Sequence, residues 1–216
     1  MLGTTEKTNE SYASRSINQQ RLDAILEYAG SSILDVGCGN GAYVLKLRET
    51  HNINGVDYQR FPTWNEAPSL FHVSDASKLN LPDNSVDTIT CFEALEHLKN
   101  PEETLREFRR VCKKNVILTV PNCDLTKGMK NSKLLYWHWI DRTHLNFYDS
   151  ESIQELVSES GLKVCHSYYI NKINVFPFIE ESFDLSGFWG GFVRKYLLKK
   201  QICSYHLTCL VVAEKE

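Results

Sequence analysis

Apolar residues along this chain follow two patterns: short continuous runs, and longer segments with helical spacing. Short runs rich in β-branched residues are typical of buried strands, and they occur at Ile33–Val36, Thr88–Phe92 and Val116–Val120. Helical spacing instead marks Gln19–Tyr28, where Leu22, Ile25 and Leu26 share one face. Strands that alternate with helices predict a single α/β domain with a mostly parallel sheet.

Two predicted helices have recognisable starts. Asn100 suits an N-cap, Pro101 suits the first turn, and Glu103 could complete a capping box. Asp149 opens another helix, which Gly161 closes. The apolar stripe predicted for the first of these helices consists of Leu105, Phe108, Val111 and Cys112.

The segment Ile33–Gly41 reads Ile-Leu-Asp-Val-Gly-Cys-Gly-Asn-Gly and carries the strongest functional signal. Its three glycines let the backbone turn sharply and approach a ligand with no Cβ in the way. A helical pattern resumes over Ala42–Arg48, and a second apolar run, His51–Val56, ends in Asp57. An acid at this second strand tip is placed to bind the hydroxyls of a ribose. The sequence therefore predicts a nucleoside-binding half of an α/β sheet.

The glycine pattern alone fits two classes of cofactor. Gly37-x-Gly39-x-x-Ala42 also satisfies the fingerprint of dinucleotide-binding proteins, in which a helix N-terminus holds a pyrophosphate. Asp35 argues against that interpretation, because its carboxylate would repel the phosphates. The same carboxylate suits a ligand with an ammonium or sulfonium group, such as S-adenosylmethionine. A nicotinamide-dependent oxidoreductase remains the alternative enzyme class.

The glycine segment resembles motif I of the class I S-adenosylmethionine-dependent methyltransferases. The resemblance covers roughly Gln20 to Ile170 and a last strand near Ser204–Ala213. It implies a Rossmann-like methyltransferase domain with helices on both faces of a seven-stranded, mostly parallel sheet. The implied strand order is 3-2-1-4-5-7-6, with the last strand antiparallel. Further matching segments are Phe71–Ala76, Leu81–Asp87, Phe92–Leu98, Val116–Asn122 and Asp149–Ile170.

The resemblance also implies roles for individual residues. Asp57 would hold the ribose, Asp75 would meet the adenine amino group, and Glu93 would meet the methionine ammonium. Asp75 could equally cap the turn that follows it, and Cys38 suits a small residue in a tight turn. The predicted cofactor-binding residues are Asp35, Gly37, Cys38, Gly39, Asn40, Gly41, Asp57, Tyr58, Asp75, Ala76, Phe92 and Glu93.

His97 and His144 are the predicted catalytic residues on the acceptor side, where Tyr148 is also expected. A base assists methyl transfer when the acceptor is a hydroxyl or a protonated amine. Glu93, Glu96, His97 and His144 could alternatively hold a divalent ion, as in metal-assisted relatives that methylate RNA or quinone-precursor hydroxyls. Glu93 would then share a helix face with Glu96 or His97. Many metal-free members carry a similar segment, so we predict no metal dependence.

Composition limits the remaining possibilities. A chain of 216 residues suits one such domain, and its net charge of −3 gives no field that favours nucleic acid. Seven scattered cysteines without a C-x-x-C pair fit a reducing compartment. No signal-like or membrane-length apolar run is present, so we expect a cytoplasmic protein.

Two segments stand outside the methyltransferase pattern. Residues 1–15 are polar and expected to be loose, and residues 171–203 form an insertion with seven aromatic side chains between Phe176 and Tyr196. We expect the insertion to form a wall of the acceptor pocket, which implies a partly apolar small-molecule acceptor. The alternatives are packing on the domain's own sheet, a homodimer face, or a helix that lies on a membrane surface. O-, N- and C-methylation all remain open. A cofactor-binding module without activity is the non-enzymatic alternative.

Overall fold

Seven strands form one sheet, in the order β3-β2-β1-β4-β5-β7-β6. This computed structural model describes residues 16–123, 141, 143–174 and 204–216. Strands β1 to β5 run parallel, and β7 runs antiparallel to both β5 and β6. The predicted order and the antiparallel last strand are therefore confirmed. The strands are β1 (Ser32–Val36), β2 (Asn52–Asp57), β3 (Phe71–Val73), β4 (Val86–Phe92), β5 (Cys112–Pro121), β6 (Leu162–Asn174) and β7 (Ser204–Lys215).

Helices cover both faces of the sheet because neighbouring strand residues point in opposite directions. Ile33 packs with Ile25 and Val44 on one face, whereas the adjacent Leu34 packs in a cluster with Phe108 and Ile153 on the other. Burial on both faces explains why the strands read as continuous apolar runs. The helices are α1 (Gln19–Tyr28), α2 (Ala42–Leu47), α3 (Pro101–Val111) and α4 (Ser150–Glu159), with 3₁₀ turns at Pro62–Glu66, Pro68–Leu70 and Leu95–His97.

The capping predictions were half right. Asn100 precedes α3, but its side chain donates to Glu103 (3.1 Å) and caps no backbone amide. The predicted capping box is therefore wrong at α3, and Cys112 begins β5 instead of completing the helix. A capping box does form at α4, where Asp149 accepts from the Ser152 amide at 2.8 Å. Gly161 follows that helix with φ +84°, as its predicted closing role requires.

Strand β6 continues into the segment predicted as an insertion. Its pairing with β7 runs past Ile170, opposite Thr208, to Asn174, opposite Ser204. The predicted boundary at residue 171 is therefore wrong by four positions, because the β6–β7 hairpin keeps its hydrogen-bonded register beyond the family-like segment. The aromatic residues between Phe176 and Tyr196 lie outside the described residues, as do residues 1–15. Among the helices that the structure describes, none is long and apolar enough to cross a membrane.

Candidate active site

A cavity of about 1480 Å³ opens at the carboxyl ends of the parallel strands. The last residues of four neighbouring strands line it: Val36, Asp57, Val73 and Phe92. Ligands of open α/β sheets bind at this edge. Every predicted cofactor-binding residue lines the cavity except Gly41, and so do both histidines that were predicted to be catalytic. Gly41 does not line the cavity but packs against Phe71, because a Cβ at this position would overlap the Phe71 ring.

The glycine turn bends out of β1 on left-handed backbone and returns to β2. Gly37, with φ +72°, and Cys38 both donate to the carbonyl of Val56, at 2.9 and 3.1 Å. A Cβ on Gly37 would approach Ala94 to 2.6 Å, so packing as well as conformation requires glycine there. Gly39 has φ +52° and no atom within 4 Å of its missing Cβ, which leaves its backbone open to a ligand.

Cys38 lies beneath this turn and fills space. Its thiol is buried against Gly55, and burial raises its pKa well above the ordinary value. A thiol that does not ionise is a poor nucleophile. The structure therefore assigns Cys38 a packing role in the cavity wall. Cys91, Cys112 and Cys209 are also buried free thiols.

Asp57 joins the end of β2 to the glycine turn. One carboxylate oxygen accepts from the Gly39 amide (2.9 Å), and the other is 3.3 Å from the Gln59 amide. Burial raises the pKa of this carboxyl despite these hydrogen bonds, which lower it. Its oxygens can still accept from a ligand, because a carboxylate offers about four lone-pair positions. Asp57 thus stabilises the glycine turn and also lines the cavity.

Asp35 is a carboxyl group with only 2% of its surface exposed. Burial raises its pKa to about 7, helped by the charge of Asp57 and opposed by a hydrogen bond from Thr90 (2.8 Å) and by the charge of Arg21. Near neutral pH the group therefore sits between its protonated and ionised forms. A cation in the cavity would favour the ionised form.

Asp35→Asn should stabilise the free protein at alkaline pH. The folded protein holds the Asp35 proton up to about pH 7, whereas the unfolded chain releases it near the ordinary value of 3.8, so stability falls as pH rises between these values. We expect the free energy of unfolding of the Asn variant to exceed that of the wild-type protein by on the order of 2 kcal/mol at pH 8, and by less at pH 5. Urea unfolding at both pH values measures it. A gain that does not grow with pH would contradict the buried carboxyl, and Asp83→Asn, at an exposed site, is the control.

Asp75 and Tyr58 form the open rim of the cavity. Asp75 is exposed and accepts from the amide and the hydroxyl of Ser77, both at 2.8 Å, and these bonds lower its pKa. It therefore caps the turn after β3 and also lines the cavity. Tyr58 is 77% exposed, and Val73 at the end of β3 is 60% exposed. Exposed apolar groups at a cavity mouth can cover the flat face of a bound base.

Glu93 does not share a helix face with Glu96 or His97, contrary to prediction. It has φ +51°, and the short turn Leu95–His97 begins two residues later. Glu93 directly follows β4, and its left-handed backbone directs its side chain toward α1. There its carboxylate Oε1 lies 2.8 Å from Nη2 of Arg21. Sequence reasoning missed Arg21, because its position in α1 looks like an ordinary polar helix position.

Three of the four proposed metal-ligating residues do meet. Ligand atoms of Glu96, His97 and His144 lie within 4.8 Å of one another, and the two imidazole rings are 4.7 Å apart in an edge contact. The backbone fixes this cluster, since the carbonyl of Glu96 accepts from the amides of Leu145 (2.9 Å) and Asn146 (3.0 Å). Glu93 is not part of the cluster. The absence of metal dependence, which the sequence analysis predicts, remains a prediction.

Thr143 fixes the proton on one nitrogen of His97. Its hydroxyl donates to Asp141 at 2.6 Å, so its hydroxyl and carbonyl oxygens, each 3.1 Å from His97 Nδ1, can only accept. We therefore assign the ring proton to Nδ1, so the lone pair of the neutral ring lies on Nε2, which is 3.8 Å from a carboxylate oxygen of Glu96. His144 Nε2 lies 3.7 Å from Asp141. Burial raises the pKa of Asp141, but the two hydrogen bonds from Thr143 and the neighbouring His144 and His97 together lower it below the ordinary value.

Tyr148 is not in the acceptor wall. It is buried in the core with Ile153 and Leu162, and it does not line the cavity. Its backbone pairs with Asn122, and its carbonyl accepts from Cys123 at 2.7 Å. This pairing with the end of β5 turns its side chain into the core. Tyr148 lies in a polar segment of the sequence, which gave no indication that its side chain would be buried in the core.

Known proteins share this domain. The family model described as a methyltransferase domain matches residues 10–167. A ubiquinone biosynthesis O-methyltransferase of Vibrio cholerae is 30% identical over 113 residues, which span 45% of this chain and 45% of that protein. An O-methyltransferase of Pyrenophora dematioidea is 23% identical over 70% of this chain and 61% of its own length. The chain thus matches less than half of the Vibrio relative.

A solved structure shows the same fold. The S-adenosylmethionine-dependent methyltransferase of Archaeoglobus fulgidus superposes with a TM-score of 0.66 at 17% identity, covering 96% of this chain and 94% of the other. The family match also favours the methyltransferase interpretation over the nicotinamide alternative. The chain belongs to the methyltransferase domain family and has the class I, Rossmann-like fold of S-adenosylmethionine-dependent methyltransferases.

Proposed function

We propose that the chain transfers the methyl group of S-adenosylmethionine to a hydroxyl group of a small organic acceptor. The observation that carries this proposal is the order of side chains across the cavity. Asp75 follows β3, Asp57 ends β2, Asp35 lies in β1, and His97 follows β4, with strands in the order β3-β2-β1-β4. Parallel strands lie about 4.8 Å apart. The nucleoside-binding acids and the histidine cluster are therefore separated by about the length of the cofactor.

The cofactor is proposed to lie across these strand ends. Asp57 accepts from the ribose hydroxyls, and Asp75 and Tyr58 border the adenine. Gly39 allows close approach of the backbone, and Asp35 faces the positively charged part of the molecule. The raised pKa of Asp35 suits this role, because a group near its titration point ionises readily when a cation arrives.

The histidine cluster supplies what a hydroxyl acceptor needs. The acceptor oxygen forms a bond to the methyl carbon as the carbon–sulfur bond breaks, and the electron pair of that bond stays on sulfur. The hydroxyl proton must leave, and His97 Nε2 is proposed to take it. Alignment of acceptor, methyl and sulfur accounts for most of the remaining rate enhancement. The two relatives whose names specify O-methylation favour oxygen over nitrogen.

A divalent ion is a second possible partner of the same cluster. One carboxylate and two imidazoles whose ligand atoms lie within 4.8 Å of one another fit an ion such as Zn²⁺ or Mn²⁺ better than Mg²⁺, which prefers oxygen ligands. Glu96, His97 and His144 would hold it, and it would supply Lewis-acid polarisation of the acceptor hydroxyl. The contact between His97 Nδ1 and Thr143 orients that ring in either case.

A panel of acceptors tests the proposed reaction. We expect labelled methyl transfer to phenols or small alcohols, with a partly apolar acceptor favoured, and little transfer to matched amines or RNA. Turnover after dialysis against chelator, with and without added Zn²⁺, Mn²⁺ or Mg²⁺, separates base catalysis from metal assistance. Tight cofactor binding without transfer to any acceptor would support the non-catalytic module instead.

A further inference from the structure

A short 3₁₀ turn after β2, Pro62–Glu66, contacts the glycine turn from outside the cavity. The indole N–H of Trp64 donates to the carbonyl of Gly39 at 2.8 Å, and the hydroxyl of Thr63 donates to the carbonyl of Asn40 at 2.7 Å. Gly39 and Asn40 line the cavity, whereas Thr63 and Trp64 do not. Two side chains outside the cavity are therefore bonded to the two central residues of the glycine turn.

Trp64 also supports the glycine turn by packing. It is fully buried, and its ring stacks on Phe71 with 5.0 Å between the ring centres and 10° between the planes. Phe71 in turn packs against Gly41, where a Cβ would overlap its ring. A buried tryptophan has one N–H donor to satisfy, and the Gly39 carbonyl accepts it. Trp64 therefore fixes one end of the turn through packing and its middle through a hydrogen bond.

The glycine turn depends on such contacts because glycine backbone is the most flexible. Gly37, Gly39 and Gly41 all have positive φ, at 72°, 52° and 73°. At Gly39, no atom lies within 4 Å of the missing Cβ, so packing on that side does not hold the residue. Its amide donates to Asp57 and its carbonyl accepts from Trp64. Side chains therefore fix both polar groups of the most open residue in the turn.

These bonds set the orientation of two peptide planes. The peptide bonds of the described residues are trans, and in a planar trans peptide the C=O and N–H point in opposite directions. The bond from Trp64 thus directs the N–H of Asn40 away from the indole. The bond from Thr63 does the same for the N–H of Gly41, which donates to the carbonyl of Cys38 at 2.9 Å. Rotation of either plane would change the backbone surface that the turn presents to a ligand.

We propose that Thr63 and Trp64 are positioning residues for the cofactor, which hold the glycine turn from outside the cavity in the conformation that binds S-adenosylmethionine. This inference rests on S-adenosylmethionine as the cofactor and not on the identity of the acceptor. A turn that also populates other conformations binds with lower apparent affinity, because only the competent fraction binds. Loss of either donor therefore weakens cofactor binding although no contact with the cofactor is removed.

Substitutions of Thr63 separate positioning from packing. Thr63→Val removes the hydroxyl and keeps the branched shape, and it should weaken binding of S-adenosylmethionine and S-adenosylhomocysteine about 3- to 10-fold, as for the loss of one hydrogen bond. Thr63→Ser keeps the hydroxyl and should bind within about twofold of the wild-type protein. Thr50→Val is the matched control, because the Thr50 hydroxyl also donates to a backbone carbonyl, that of Leu47 (3.2 Å), outside the cavity. Isothermal titration calorimetry measures the affinities.

Hydrogen exchange in the absence of ligand measures whether the turn itself loosens. In Thr63→Val, the Gly41 amide should exchange about 3- to 10-fold faster, whereas the amides of β4 and β5 keep their protection. Trp64→Phe keeps an aromatic ring beside Phe71 but removes the N–H donor. It should weaken cofactor binding at least as much as Thr63→Val, and it should also lower the melting temperature because the smaller ring leaves a cavity in the core.

The Thr63 variants decide the proposal even if Trp64→Phe does not fold. Unchanged cofactor affinity in Thr63→Val, or an equal loss in Thr63→Ser, would overturn it. Weaker binding together with faster exchange throughout β4 and β5 would mean general destabilisation and would also overturn it. Wild-type protein that binds neither S-adenosylmethionine nor S-adenosylhomocysteine would overturn the cofactor assignment and the proposal together. A failed acceptor panel alone would leave these binding results intact.

Discussion

His97→Ala should lower kcat about 10²- to 10⁴-fold while cofactor affinity changes less than about twofold. The reason is that His97 Nε2 is the proposed proton acceptor, whereas the nucleoside-binding acids lie two and three strands away. An acceptor that ionises unaided needs no base. The loss should therefore shrink with a nitrophenol and persist with an aliphatic alcohol. Initial rates with both acceptor classes measure this difference.

Two further measurements make this result decisive. His144→Ala should also reduce kcat, because its ring packs against His97 at 4.7 Å. His72→Ala is the control, since His72 is exposed on β3 and does not line the cavity. Losses of equal size with every acceptor, together with inhibition by chelator, would favour a metal ion over a base. Full activity in both cavity variants would remove the histidines from the mechanism.

Asp57→Ala should weaken S-adenosylmethionine binding by about 1.5–3 kcal/mol, or roughly 10- to 150-fold. The variant loses the proposed ribose acceptor and also the bond from the Gly39 amide that shapes the glycine turn. Because of this second role, we also expect a lower melting temperature without ligand. Calorimetry and thermal unfolding separate the two effects.

A conservative substitution divides the two roles of Asp57. Asp57→Asn keeps a carbonyl oxygen for the Gly39 amide, so stability should largely return while the charged acceptor for the ribose stays lost. Asp83→Ala, at an exposed carboxylate outside the cavity, should leave cofactor binding unchanged. Preferential binding of NAD by the wild-type protein would contradict the cofactor assignment, and unchanged affinity in Asp57→Ala would remove its proposed role.

Local chemistry made much of the site predictable from the chain. A left-handed turn that a ligand approaches requires glycine, so Gly37 and Gly39 can be recognised from their spacing after an apolar run. Asp57 was equally visible because it directly ends the next strand. The same reasoning failed at Glu93, where helical spacing was assumed. A positive backbone φ at a residue other than glycine leaves no reliable pattern in the sequence.

The sequence by itself determined the order of elements, the sheet edge at which the cavity opens and thirteen of the residues that line it. It could do so because strand periodicity and glycine turns are local properties of the chain. Only the tertiary structure decided which distant side chains meet. Arg21 reaches Glu93 from a helix that precedes β1, and Thr143 orients His97 across a long connection. It also turned Tyr148 into the core and placed Asp35 where burial raises its pKa to about 7. Burial, charge and orientation depend on neighbours that folding brings together, and no pattern along the chain records them.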